Sequence, residues 1–171
     1  MKKLNFLGLV VLVSASVFAE AVSYEKRQDL AGTWTLQQAD DAKVMCPIAV
    51  PGDVHSALLK AGIIPDPYVG ANEYRTLWVG RKDWVVGRTF AVGRDLLAAD
   101  SVVLRLDEVD TLCTIRINGR EVGRTDNRFR RWDFDVKPFL HEGENGIEAV
   151  FESAEGASER IKSRTPGNYS I

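Results

Sequence analysis

The chain contains few residues whose type and spacing could do chemistry by themselves. Its two histidines, His55 and His141, are far apart in sequence and have no ligand-spaced partners, so no metal site is expected. The run Asp107-Glu108-Val109-Asp110 could pair carboxylates for acid–base work, but at the end of a strand it reads as a solvated turn. No G-x-S-x-G elbow, phosphate-binding Gly-rich loop or dinucleotide fingerprint occurs, and no cofactor is implied. The cluster Arg128-Phe129-Arg130-Arg131-Trp132 interleaves basic and aromatic residues as nucleic-acid binders do. A formal net charge of −2 gives no general attraction to nucleic acid or anionic membrane. These residues are therefore expected to flank a strand or meet a neighbouring domain. No catalytic set is found.

One segment stands apart. Pro51 to Tyr74 reads PGDVHSALLKAGIIPDPYVGANEY. Asp53 is a good N-cap, and Val54, Ala57, Leu58 and Ala61 fall at helical spacing on one face. Gly62 suits the left-handed position that ends a helix. Two turns of helix are too short to stand alone and must lie on a sheet. Pro65 and Pro67 then forbid helix and stiffen the loop that follows. Long loops on rigid β scaffolds often carry function.

The elements that would position this loop are strands. Trp34 and Leu36 share a face, as do Trp84, Val86, Arg88, Phe90 and Val92, and again Val102, Leu104 and Leu106. Such period-2 alternation marks half-buried strands, and it places Trp84 in the core. Asn118-Gly119 between two strand-like runs predicts a type I′ hairpin. A tight polar turn in Gly143-Glu144-Asn145-Gly146 is expected to deliver Ile147, Ala149 and Phe151 to one face. Cys113 falls among core residues, as free cysteines often do; pairing with Cys46 is the minor alternative. The expected architecture is an all-β antiparallel sandwich or jelly roll with one short helix.

The first residues have a different character. Lys2 and Lys3 precede an apolar run from Leu4 to Phe18, and small residues follow at Ala19 and Ala21. That is the layout of a secretory signal peptide covering residues 1–21, with cleavage after Ala21 or Ala19. The run is too short for a membrane span of ~20 apolar residues. An exported protein, periplasmic or secreted, with no membrane attachment after cleavage, is expected.

Four blocks in order carry a resemblance: LAGTWTL, the stretch from VPGDVHSALLKAGIIPDPYVGANEY to WVVGRTFAV, TIRINGREVGRTDNRFRRWDFDV, and GENGIEAVFESA. Together they resemble the N-terminal domain of the β-mannosidases of glycoside hydrolase family 2, over about Leu30 to Ala154. The resemblance implies a galactose-binding-like jelly roll, residues 22–171 here, standing before immunoglobulin-like and (β/α)₈-barrel domains. It implies an exo-acting, retaining enzyme that removes terminal β-mannose from oligosaccharides or glycoconjugates. Retention uses two carboxyl groups ~5 Å apart; in the family both are barrel glutamates, which this chain does not contain. No catalytic residue is therefore expected in it.

The family's Trp-Asp-Trp segment is also absent, so a domain short of its last strands, marginally stable and prone to aggregate, is expected. The resemblance further places the loop from Ile64 to Trp78 facing the barrel mouth. Asn72 and Glu73 are then candidates for the sugar-pocket rim, with Trp78 as a stacking or packing partner. Structural alternatives stand beside these roles: Asn72 serving a turn, Glu73 pairing with Arg75 or Arg81, and Trp78 in the core. The alternative functions are a free-standing carbohydrate-binding module or a degenerate fragment without activity.

Overall fold

The computed structural model describes residues 26–164. The expected signal peptide and the sequon Asn168-Tyr169-Ser170 lie outside the described residues. Eight strands occur among the described residues: β1 Gly32–Gln38, β2 Asp41–Val50, β3 Trp84–Val92, β4 Val103–Leu106, β5 Cys113–Ile117, β6 Arg120–Thr125, β7 Trp132–Asp135 and β8 Gly143–Phe151. Six of them form an antiparallel sheet in the order β2-β1-β3-β8-β5-β6, and β4 pairs with β7 in a second, smaller sheet.

One apolar cluster joins the two layers. Trp34, Leu36, Trp84, Val86, Ile115, Ile117 and Ile147 come from the large sheet, Leu104 from β4, and Val136 follows β7. The fold is an open, mostly antiparallel β-sandwich of two layers, and the alternation expected of β3 and β4 is present. Trp84 and Val86 are buried and Val103 is exposed. Each fully buried Leu or Ile contributes about 1.5–3 kcal/mol of hydrophobic stabilisation. At the layer contact, Gly123 of β6 sits flush under the Phe134 ring of β7: a Cβ on Gly123 would come within 2.3 Å of it.

The predicted hairpin is present. Asn118 and Gly119 join β5 to β6 with φ of 52° and 75°, the paired positive values a type I′ turn needs. Cys46 and Cys113 are both buried and unpaired, so the minor alternative of a disulfide is not realised.

Two expectations are corrected. The single helix is one of four among the described residues: α1 Val54–Lys60, α2 Asn72–Thr76, α3 Arg94–Leu97 and α4 Ala154–Arg164. Helices α2 and α3 lie in connections between strands and α4 follows β8; no apolar period announced them. The Gly143–Gly146 run is no turn but the first half of β8, paired with Thr89–Val92. Its Asn145 is 1% exposed and fully hydrogen-bonded, which lets a polar residue occupy a core position.

Candidate functional site

Helix α1 begins as its sequence directs. The Asp53 carboxylate accepts hydrogen bonds from the Ser56 N–H at 2.9 Å and the Ser56 hydroxyl at 2.7 Å. Partial burial pushes the Asp53 carboxyl up, but these bonds outweigh it and hold it below its ordinary value. The helix ends in a Schellman motif: Gly62 N donates to Leu59 O and Ile63 N to Leu58 O, both at 2.9 Å, with Gly62 at φ 69°. Ala57 and Leu58 are buried against the sheet.

The loop then anchors on buried Ile64. Asp66 organises its turn. Its carboxylate accepts from the Tyr68 N–H at 3.0 Å, and its carbonyl accepts from Val69 N at 3.2 Å and from Asn72 Nδ2 at 3.0 Å. Asn72 opens α2, its N–H donating to Val69 O at 3.2 Å, and its Oδ1 accepts a long 3.4 Å bond from Arg75. Both ends of its amide thus serve the loop.

Glu73 is exposed in the first turn of α2, where the helix terminus favours a negative charge. Arg81, one expected partner for it, pairs instead with Glu155 at 2.7 Å, and Arg75 reaches Asn72. Buried Thr76 donates from its hydroxyl to Glu73 O at 2.9 Å, which fixes the backbone beneath the carboxylate.

Trp78 lies in a 3₁₀ turn, Leu77–Arg81. It is half-buried, and its ring centroid stands 6.0 Å from that of Trp84, tilted by 42°. Trp84 Nε1 donates to Val79 O at 3.0 Å, and Lys82 pairs with Asp40 at 2.7 Å. The Lys82 ammonium bonded to Asp40 holds that carboxyl below its usual range. The 3₁₀ turn is thereby fastened to β3 and to the β1–β2 turn. The site is a loop with a rigid base and an open crest.

That crest carries residues which the sequence reasoning passed over. Tyr68 is 96% exposed and Tyr74 77%, with Val69 and Leu77 also exposed. Two tyrosines in a segment without apolar periodicity were the available signal. Together with Glu73, the crest offers aromatic faces, phenolic hydroxyls and one carboxylate, a set suited to polyhydroxylated ligands. Among the described residues no group of three or more His, Cys, Asp or Glu could hold a metal ion. No helix among them is long and apolar enough to cross a membrane.

Comparison with known proteins gives the context. Residues 34–170 match the family model described as the glycosyl hydrolase 2 galactose-binding domain-like domain. A β-mannosidase of Rattus norvegicus is 33% identical over 151 residues, covering 88% of this chain and 16% of the relative. The β-D-mannosidase of Dictyoglomus thermophilum superposes with a TM-score of 0.77 at 38% identity, covering 81% of this chain and 17% of that one. An exo-chitosanase of Amycolatopsis orientalis, 17% identical, shares the fold at a TM-score of 0.62, covering 71% of this chain and 16% of that one. The chain spans about a sixth of the length of these relatives.

Proposed function

The chain belongs to the glycosyl hydrolase 2 galactose-binding domain-like family, and on that footing we propose that it acts as the non-catalytic first domain of an exo-acting, retaining β-mannosidase. Similarity to β-mannosidases across 88% of the chain carries this reading, because it spans the α1 and 64–78 segments as well as the strands. The crest of that segment closes one side of the sugar pocket, with Glu73 and the loop around Asn72 at the rim and Trp78 as the packed base. The partners are a β-mannoside and the immunoglobulin-like and barrel domains of a longer enzyme. The barrel supplies both carboxyl groups. In this reading the protein is exported, and its mature N-terminus is Val22, or Glu20 for cleavage after Ala19.

The test is a chimaera in which residues 22–171 replace the first domain of the Dictyoglomus thermophilum enzyme. Retained turnover of an aryl β-mannoside is expected, with Glu73→Gln raising KM more than it lowers kcat. The chain alone should show no hydrolysis above background. Turnover by the chain alone, abolished by replacing one of its own carboxylates, would refute the accessory role. A free-standing carbohydrate-binding module is the second reading, favoured by the exposure of Tyr68 and Tyr74. Saturable mannoside binding by a chain that cannot complement the chimaera would select it.

A further inference from the structure

The sequence holds two Asn-Gly dipeptides, Asn118-Gly119 and Asn145-Gly146, and the sheet brings them into contact. Asn118 stands in the exposed β5–β6 turn, whereas Asn145 is buried in the first half of β8. Ile117 pairs with Ile147. Asn118 extends that ladder by one step, its N–H donating to Gly146 O at 2.9 Å.

Asn-Gly is the dipeptide in which an asparagine side chain is most open to attack by its own backbone, because glycine has no Cβ to screen its nitrogen. That nitrogen bonds to the Asn Cγ, the Cγ–Nδ2 bond breaks, and ammonia departs with the N–H proton. A five-membered succinimide remains. Water then opens it at either carbonyl, giving aspartate or isoaspartate, so the balance is water taken up and ammonia released. Ring closure requires Cγ to swing onto the following nitrogen.

Both side chains are held against that swing, but unequally. Asn118 Nδ2 donates to Phe139 O at 2.9 Å and to Asn145 Oδ1 at 2.8 Å, and its Oδ1 accepts from Gly146 N at 2.9 Å. Asn145 Oδ1 also accepts from His141 N at 3.0 Å, and its Nδ2 donates to His141 O at 2.8 Å and Gly143 O at 3.0 Å. Gly146 N, the nucleophile that Asn145 would need, is therefore occupied by the Asn118 side chain. Gly119, the counterpart for Asn118, lies exposed in the turn. Position 146 does not itself demand glycine: its φ is not positive, and a Cβ there would meet nothing within 4 Å.

We propose that Asn118 and Asn145 form an ordered deamidation site, in which Asn118 reacts first and its conversion frees Gly146 N to attack Asn145. Aspartate at 118 is an acceptor only, so an oxygen then faces Phe139 O and Asn145 Oδ1, where Nδ2 had donated. The other oxygen can still accept from Gly146 N, but the side chain has lost both bonds that aimed it there. Isoaspartate instead adds a backbone methylene to a two-residue turn held at φ of 52° and 75°, values suited to a type I′ hairpin. With either product the hold on Gly146 loosens. The first lesion opens the way to the second, and refolding reverses neither.

The experiment incubates the full chain in mildly alkaline buffer and separates the products by anion exchange, which resolves each negative charge gained. Peptide mass spectrometry then locates each change. The singly modified fraction is expected to carry it at 118, with 145 converted only in the doubly modified fraction. In urea both sites should react together, at least about tenfold faster than 145 in the folded chain, where reaction waits on local opening. Asn118→Asp should speed conversion at 145 by at least about threefold. Gly123→Ala, which disturbs the layer contact with Phe134 instead, should leave 145 slow. Gly146→Ala should keep the fold and the first conversion and suppress the second. A singly modified fraction changed at 145 would overturn the proposal. So would equal acceleration at 145 by Gly123→Ala, or no conversion at 118 in the folded chain.

Discussion

Asn118 donates from Nδ2 to Oδ1 of Asn145 at 2.8 Å, joining the β5–β6 turn to the entry of β8. The link is one of several at this point. Asn118 N–H donates to Gly146 O at 2.9 Å and its Oδ1 accepts from Gly146 N at 2.9 Å. Asn145 in turn accepts from His141 N and donates to His141 O and Gly143 O.

Replacing Asn145 strands several of these groups away from water. Asn145→Ala is expected to cost at least about 1–3 kcal/mol, measured from denaturant midpoints. Asn118→Gly keeps the backbone conformation but loses the side-chain bonds, so the double variant should be clearly less destabilised than the sum of the two singles.

The tryptophan pair should respond asymmetrically. Trp84 is 4% exposed, so Trp84→Ala should cost about 3–5 kcal/mol. Trp78→Ala should cost less, because that ring is half-exposed. Thermal melts that rank Trp78 above Trp84 would mean that the faces of this segment are assigned wrongly.

The contact between the layers predicts a penalty for a single methyl group. Gly123→Ala drives a Cβ into the Phe134 ring and should cost about 1–3 kcal/mol. Adding Phe134→Leu removes the ring carbons in the way, and the pair should be less destabilised than the two changes taken separately.

The buried thiols set an alkaline limit. Desolvation pushes Cys113 from an ordinary 9.0 up to about 12 and raises Cys46 as well. The unfolded thiol loses its proton first as pH rises, so Cys113's contribution is intact below about pH 9 and declines as pH climbs towards about 12. Neither thiol should react with a disulfide reagent at pH 8 until the chain unfolds, and Cys113→Ser should shift the alkaline arm of the stability profile.

The legible parts of this protein were those whose cause lies within a few residues. Asp53 with Ser56, Gly62 after α1 and Asn118-Gly119 are local devices, and each forms as the sequence indicates. The alternation from Trp84 to Val92 was legible for the same reason. Asn145 was not, because its partners lie at 118, 141 and 143 and no periodicity joins a polar residue to a core. The 64–78 segment was read as a loop, yet it holds the short helix α2 and the start of a 3₁₀ turn, and its most exposed side chains, Tyr68 and Tyr74, carry no pattern that separates a crest from a base. Asn72 shows the same limit from the other side: its amide is turned inward to Asp66, a fact of geometry and not of composition.

Ser153, just beyond β8, donates from its backbone to Asp83 Oδ1 at 2.7 Å and from its hydroxyl to Gly80 O at 2.8 Å, while Glu155 at the start of α4 holds Arg81. In mechanical terms this is a clamp. A tension applied along α4 is shared with the turn that carries Trp78 before the strand pairs of the sheet bear all of it. The 64–78 segment would therefore sense a displacement of α4.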